Sequence, residues 1–209
     1  MSGENTHYRQ QLFDQILKAN GKKSLPSDLN AAFQNLITNK ENNLSLISNP
    51  IKTFIENAKF AGCELIELTA LGAIDAVISE RIVDRSSLAV SPQKELQQVL
   101  PVAATNIRAA RWGIVMADTG IAETGTVCLH SHVVPSELLF LVESLIVVLK
   151  CSDIVARQEQ VWQKMAVGKG GSNPRAMHLI TGPSRTADVE QILQIGAHGP
   201  KELLIILID

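Results

Sequence analysis

A chain of 209 residues, 45% apolar but only 4% aromatic, has room for one large domain, alone or with a helical extension, whose core is Leu, Ile, Val and Ala rather than rings. Its formal net charge of -2 argues against a nucleic-acid partner, because phosphate binding needs a basic face. The strongest apolar run, residues 138–149, is interrupted by Glu143 and too short to cross a bilayer, and the polar N-terminus has no apolar leader region. The expectation is therefore a cytoplasmic protein with no membrane span. Cys63, Cys128 and Cys151 are scattered without a CxxC pair, so buried free thiols are expected rather than a zinc site or an iron–sulfur cluster in this chain.

Tyr8, Leu12, Phe13, Ile16 and Leu17 fall on one face of a helix over residues 6–20, stopped by Asn20-Gly21. Leu29, Ala32, Phe33, Leu36 and Ile37 suggest a second helix after a short linker. Residues 1–40 thus read as an N-terminal helical arm, and residues 41–209 as an α/β domain. Within the domain, Pro50 opens a helix that Gly62 ends, and residues 63–68 alternate like a strand. A helix follows over residues 71–78, then a short buried strand at 88–90. Strands are expected at 126–129, 145–149, 178–181 and 203–208, with helices at 154–165 and 187–195. The 145–149 run is apolar throughout, as in a strand covered on both faces. Alternating helices and short Val/Ile/Leu runs predict an α/β layered domain with a mainly parallel sheet. In such sheets ligands sit beyond the carboxyl ends of the strands. Residues 169–174 form a Gly-rich connector or a closing loop.

Small, hydroxylated and acidic residues crowd two places. The first is Ala122-Glu123-Thr124-Gly125-Thr126, where Glu123 precedes a glycine turn and a strand. A carboxylate there can order its own loop or act as base or nucleophile, and Asp118 stands close enough in sequence to work with it. The second is Thr181-Gly182-Pro183-Ser184-Arg185-Thr186-Ala187-Asp188, which reads as strand, turn and helix start. Gly182 permits close backbone approach, Ser184 and Thr186 can cap, and exposed N–H groups with Arg185 favour a carboxylate or phosphate. The Gly-Lys-Ser/Thr ending of a P-loop is missing, as is the Gly-x-Ser-x-Gly elbow of a serine hydrolase. His130 and His132 would share a strand face, a weak metal-ligand spacing, and no metal is assigned. His198 lies in a loop before Gly199-Pro200.

These stretches, 121–126, 181–190 and 196–200, resemble in order and spacing the motifs of the LUD-domain family, that of lactate-utilisation protein C (LutC). The resemblance is strong over about residues 100–209 and a pattern of elements before that. It implies the NagB/RpiA/CoA-transferase-like fold and a role in bacterial oxidation of L-lactate to pyruvate. It also implies partner subunits that carry iron–sulfur clusters, with no cofactor in this chain, and members of the superfamily often form homo-oligomers. The motif loops would then wall one pocket for a small anion. Glu123 and Asp118 are the candidate catalytic carboxylates. Thr124, Gly125, Thr126, Gly182, Pro183, Ser184, Arg185, Thr186, Asp188, His198 and Gly199 are the candidate ligand contacts. The chain departs from the family between residues 130 and 145, where the loop is short and Val142 and Leu145 replace an expected Pro and His. Two other functions fit the same residues. One is an independent CoA-transferase-like or sugar-phosphate-type enzyme with Glu123 as nucleophile. The other is a non-catalytic metabolite sensor.

Overall fold

The computed structural model describes residues 47–100, 106–167, 174–186, 194–196 and 198–209. The expected N-terminal arm at 1–40, the connector at 169–173 and Asp188 lie outside the described residues.

Helix α1 (Pro50–Phe60) begins where Asn49 accepts from the Lys52 N–H and Pro50 supplies a preset first turn. It leads through Gly62 into β1 (Glu64–Leu68). A 3-10 turn and α2 (Ile74–Arg81) follow, then β2 (Leu88–Val90) and α3 (Lys94–Val99). Next come β3 (Trp112–Met116), β4 (Thr119–Ile121), β5 (Thr126–His130) and α4 (Ser136–Phe140). The chain continues with β6 (Ser144–Lys150), β7 (Ile154–Val155), α5 (Gln158–Val167) and β8 (Met177–Ile180). It finishes with the short pair β9 (Arg185–Thr186) and β10 (Gln194–Ile195), then β11 (Glu202–Ile208).

Five of these strands form a fully parallel sheet in the order β1-β11-β6-β3-β2. The central strands β6 and β11 are the two unbroken apolar runs, as burial on both faces demands. Alternate residues point to opposite faces. Ile114, Ile146, Val148, Leu204 and Ile206 meet Ile74 and Ile78 of α2 and Leu96 of α3. Val115, Val147, Leu149, Ile205 and Leu207 face the other way, against Phe54 and Ala58 of α1 and against Val127 and Leu129 of a second sheet. That second sheet has the order β7-β4-β5-β8 and is largely antiparallel. Its outer face, at Ile121 and Cys128, is covered by Val161 of α5. The layers are helices, parallel sheet, antiparallel sheet and helix, so the predicted α/β class with a mainly parallel sheet is what the chain adopts.

The local differences have local reasons. The predicted helix at 154–165 starts late because Ile154 and Val155 pair with Gly120 and Ile121 before α5 begins. Of the predicted helix at 187–195, the described residues Gln194 and Ile195 are instead a strand that pairs with Thr186 and Arg185, and 187–193 lie outside the described residues. Ser184 leads directly into the extended residues Arg185 and Thr186. Val142 and Leu145, where the resemblance led to an expected Pro and His, are both buried in the main core. In this chain that segment serves packing. A Cβ on Gly113 would touch Leu138 and Val142, so α4 lies directly over β3 there.

Candidate functional site

The two motif loops meet at the carboxyl-terminal end of α1. Gly125 sits at φ +66 on the main chain of Asn57 and Ala58, and Gly182 at φ +76 on the carbonyl of Ala61. Both positions need glycine, because a Cβ would enter the helix backbone and the left-handed region is unfavourable for other residues. The Asn57 side-chain amide donates to the Ala122 carbonyl at 2.8 Å and the Glu123 carbonyl at 3.1 Å, which fixes the first loop. A ladder of hydroxyls then joins the loops. Thr124 Oγ1 and Thr126 Oγ1 are 2.7 Å apart, and Thr126 Oγ1 and Thr181 Oγ1 are 2.6 Å apart.

The third motif completes the arrangement through the backbone. The Ser184 N–H donates to the Pro200 carbonyl at 2.8 Å, and the Ser184 carbonyl accepts from the Gly196 N–H at 3.0 Å. An open cavity of about 540 Å³ results. Thr181, Gly182, Pro183, Ser184, Arg185, His198 and Gly199 line it on one side, and Ala61, Leu139, Phe140, Leu179 and Pro200 supply apolar walls. Arg185 lies exposed over Gly62 and makes no ion pair among the described residues. Phe140 packs edge-on to His178, whose Nε2 is 2.8 Å from Ser136 Oγ. Because Ala61-Gly62 precede β1 and Pro200 precedes β11, this cavity lies at the amino edge of the parallel sheet, not at the carboxyl edge where such sheets usually bind ligands.

Of the residues named from sequence, Gly182, Pro183, Ser184, Arg185, His198 and Gly199 come together around the cavity. Thr124 and Thr126 stand behind it in the hydroxyl ladder. Thr186 pairs with Gln194. Glu123 does not line the cavity. One carboxylate oxygen accepts from Arg157 Nη1 at 3.1 Å and the other from the Gln158 backbone N–H at 2.8 Å, so Glu123 ties the loop to the start of α5. A carboxylate at a helix start is favoured by the unpaired N–H groups there. Asp118 and Glu123 are not brought together. The β4–β5 hairpin holds them at opposite ends, on the order of 15 Å apart at a strand rise of about 3.3 Å per residue. Asp118 instead accepts from the His130 N–H at 3.0 Å and faces His130 Nδ1 at 3.4 Å.

His130 Nε2 is 3.9 Å from Cys128 Sγ, which gives a Cys–His–Asp line without the chemistry. Cys128 is fully buried, and its thiol is pushed up to about 12, by burial first and the Asp118 charge second. A nucleophile needs the opposite shift. Burial likewise raises the Cys63 thiol, against smaller opposing effects of the Gly182 backbone and Arg185. Sequence reasoning missed Asn57, Ala61 and Arg157. Asn57 lies half-buried beside Phe54 and Ala58 on the inward side of the helix, and nothing local marks it as a loop anchor.

The model of the LUD domain family matches residues 27–208, starting inside the stretch read as the arm. Lactate utilization protein C of Bacillus pumilus is 37% identical over 110 residues, 50% of this chain and 46% of that protein. The protein of the same name from Geobacillus kaustophilus is 35% identical over 102 residues, 47% of this chain and 42% of that protein. Uncharacterized protein YkgG of Escherichia coli is 31% identical over 136 residues, 63% of this chain and 57% of that protein. The matches thus span about half the length of these curated relatives. A crystal structure of a DUF162 family protein from Deinococcus radiodurans has the same fold, with TM-score 0.59 and 17% identity over 77% of this chain and 96% of that one. Among the described residues no helix is long and apolar enough to cross a membrane. With the family match covering most of its length, the chain belongs to the LUD domain family.

Proposed function

We propose that this chain is a subunit of a bacterial lactate-utilisation system, acting in the oxidation of L-lactate to pyruvate beside iron–sulfur partner subunits. It holds a small carboxylate in the amino-edge cavity. The observation that carries this reading is Arg185, a guanidinium with no ion pair among the described residues, beside Ser184, His198 and Thr181 in one cavity. A guanidinium offers a planar fork that matches a carboxylate, and the apolar wall of Leu139, Phe140 and Leu179 suits a short carbon chain. The names of the relatives point the same way. Glu123 then holds the shape of the site, and electron transfer belongs to the partners' clusters.

The test is calorimetric titration of L-lactate and pyruvate into the full chain and into Arg185→Ala. Losing a charge-assisted hydrogen bond weakens binding by roughly ten- to a hundredfold. Equal affinity for variant and wild type removes the site. Unchanged growth on L-lactate after deletion of the gene removes the system.

A further inference from the structure

The opposite edge of the parallel sheet carries a second cavity, of about 530 Å³, which the proposed function does not use. The segments leaving the carboxyl ends of β2, β3 and β6 frame it with Gln93 and Lys94, Asp118 and Lys150, and the turn after β5 adds His132. This is the edge at which parallel α/β sheets bind ligands. Its frame is built rather than loose. The Gln93 amide donates to the Met116 carbonyl at 2.8 Å and accepts from the Met116 N–H at 2.7 Å, which clamps the loop after β2 to the last residue of β3.

Asp118 is held on one side only. Its Oδ2 takes the His130 N–H and faces the His130 ring, while Oδ1 has no partner among the described residues. His130 has no nitrogen left for a ligand, since Nδ1 faces Asp118 and Nε2 faces Cys128. Its ring stacks on His132 with centroids 5.6 Å apart and planes 11° apart, so it positions both Asp118 and His132. Lys94 and Lys150 make no ion pair among the described residues. The remaining charges on the cavity are Glu95 and Asp153, and Asp153 is drawn to Lys164 at 3.8 Å.

Two unpaired ammonium groups attract an anion, and a carboxylate beside them repels it unless the ligand brings a hydroxyl to donate. We infer that the carboxyl-edge cavity binds a small hydroxylated anion, Lys94 and Lys150 holding its charged end and Asp118 Oδ1 accepting its hydroxyl. The anionic end is a carboxylate or a phosphate, and the experiment separates them. Calorimetry is run on the full chain carrying Arg185→Ala, so that any amino-edge binding is weakened roughly ten- to a hundredfold. The carboxylate arm compares L-lactate with propionate, and the phosphate arm compares glycerol phosphate with propyl phosphate.

The hydroxylated member of one pair should bind saturably and about tenfold tighter than its deoxy analogue. Adding Lys94→Ala and Lys150→Ala should weaken it about tenfold further. Adding Asp118→Asn keeps an oxygen for the His130 N–H but sets an amide donor where the free oxygen stood, so the hydroxyl preference should fall to within about threefold. Thermal melting confirms that each variant is folded. No saturable binding in either arm, equal binding within both pairs, no effect of the lysine changes, or a preserved preference in Asp118→Asn each overturns the inference. None of these outcomes bears on the Arg185 site, because Arg185 is already replaced.

Discussion

Gly125→Ala tests whether the contact between the first motif loop and α1 holds the site together. A Cβ built on Gly125 lies 2.5 Å from the Asn57 carbonyl carbon and 2.7 Å from Ala58 Cα, with the Ala58 nitrogen closer still. These are main-chain atoms of a helix whose Phe54 and Ala58 are both 0% exposed, so the helix cannot step aside cheaply. The left-handed backbone adds about 1–2 kcal/mol of strain for alanine. Overpacking adds about 1–3 kcal/mol. The smaller entropy of the unfolded alanine chain returns about 0.4–1 kcal/mol. The net loss is about 1–4.5 kcal/mol, which for a urea slope of about 2 kcal/mol/M lowers the midpoint by about 0.5–2 M. Gly72→Ala is the matched control, since nothing lies within 4 Å of its added Cβ and its φ is ordinary, so it should be neutral or slightly stabilising. Urea unfolding followed by circular dichroism reads both variants. If Gly125→Ala unfolds at the same midpoint as Gly72→Ala, the loop does not depend on its seat on α1, and the account of the site fails.

Glu123→Gln removes the charge that meets Arg157 and the Gln158 N–H, at a cost of about 1–2 kcal/mol of stability, while L-lactate affinity stays unchanged. An acyl adduct trapped by hydroxylamine in wild type but not in this variant would show Glu123 acting as a nucleophile instead of an anchor. The thiols give a pH prediction. In the folded chain Cys128 keeps its proton to about 12, whereas an unfolded cysteine releases it near about 8.5, so the folded state holds more protons between these values. The stability this confers is full below about pH 8.5 and falls as pH rises toward 12, by up to about 1.4 kcal/mol per unit. Cys128→Ala should flatten that alkaline slope in unfolding titrations, and an unchanged slope would count against the buried thiol as its source. At about pH 8, alkylation read by mass spectrometry should label the partly exposed Cys151 before Cys63 or Cys128.

Sequence by itself determined the parallel sheet's centre. In β6 and β11 every position from Leu145 to Leu149 and from Leu203 to Ile208 is apolar, and a strand buried on both faces needs nothing more to be recognised. It also determined the order of the motif loops and the glycines on which they turn, since a left-handed turn marks itself locally. Strands β3 and β4 escaped because each carries a glycine, Gly113 under α4 and Gly120 against Leu149 and Phe54, where a neighbour fills the space a side chain would take. Tertiary structure alone decided the partners. Glu123 and Asp118 stand close in sequence, yet the hairpin gives one to Arg157 and the other to His130. It also decided that the Gly182–Arg185 loop lies at the amino edge and Asp118 at the carboxyl edge. Periodicity along a chain reports whether a residue is buried, but the edge and the partner it meets depend on strand directions and pairings between distant segments.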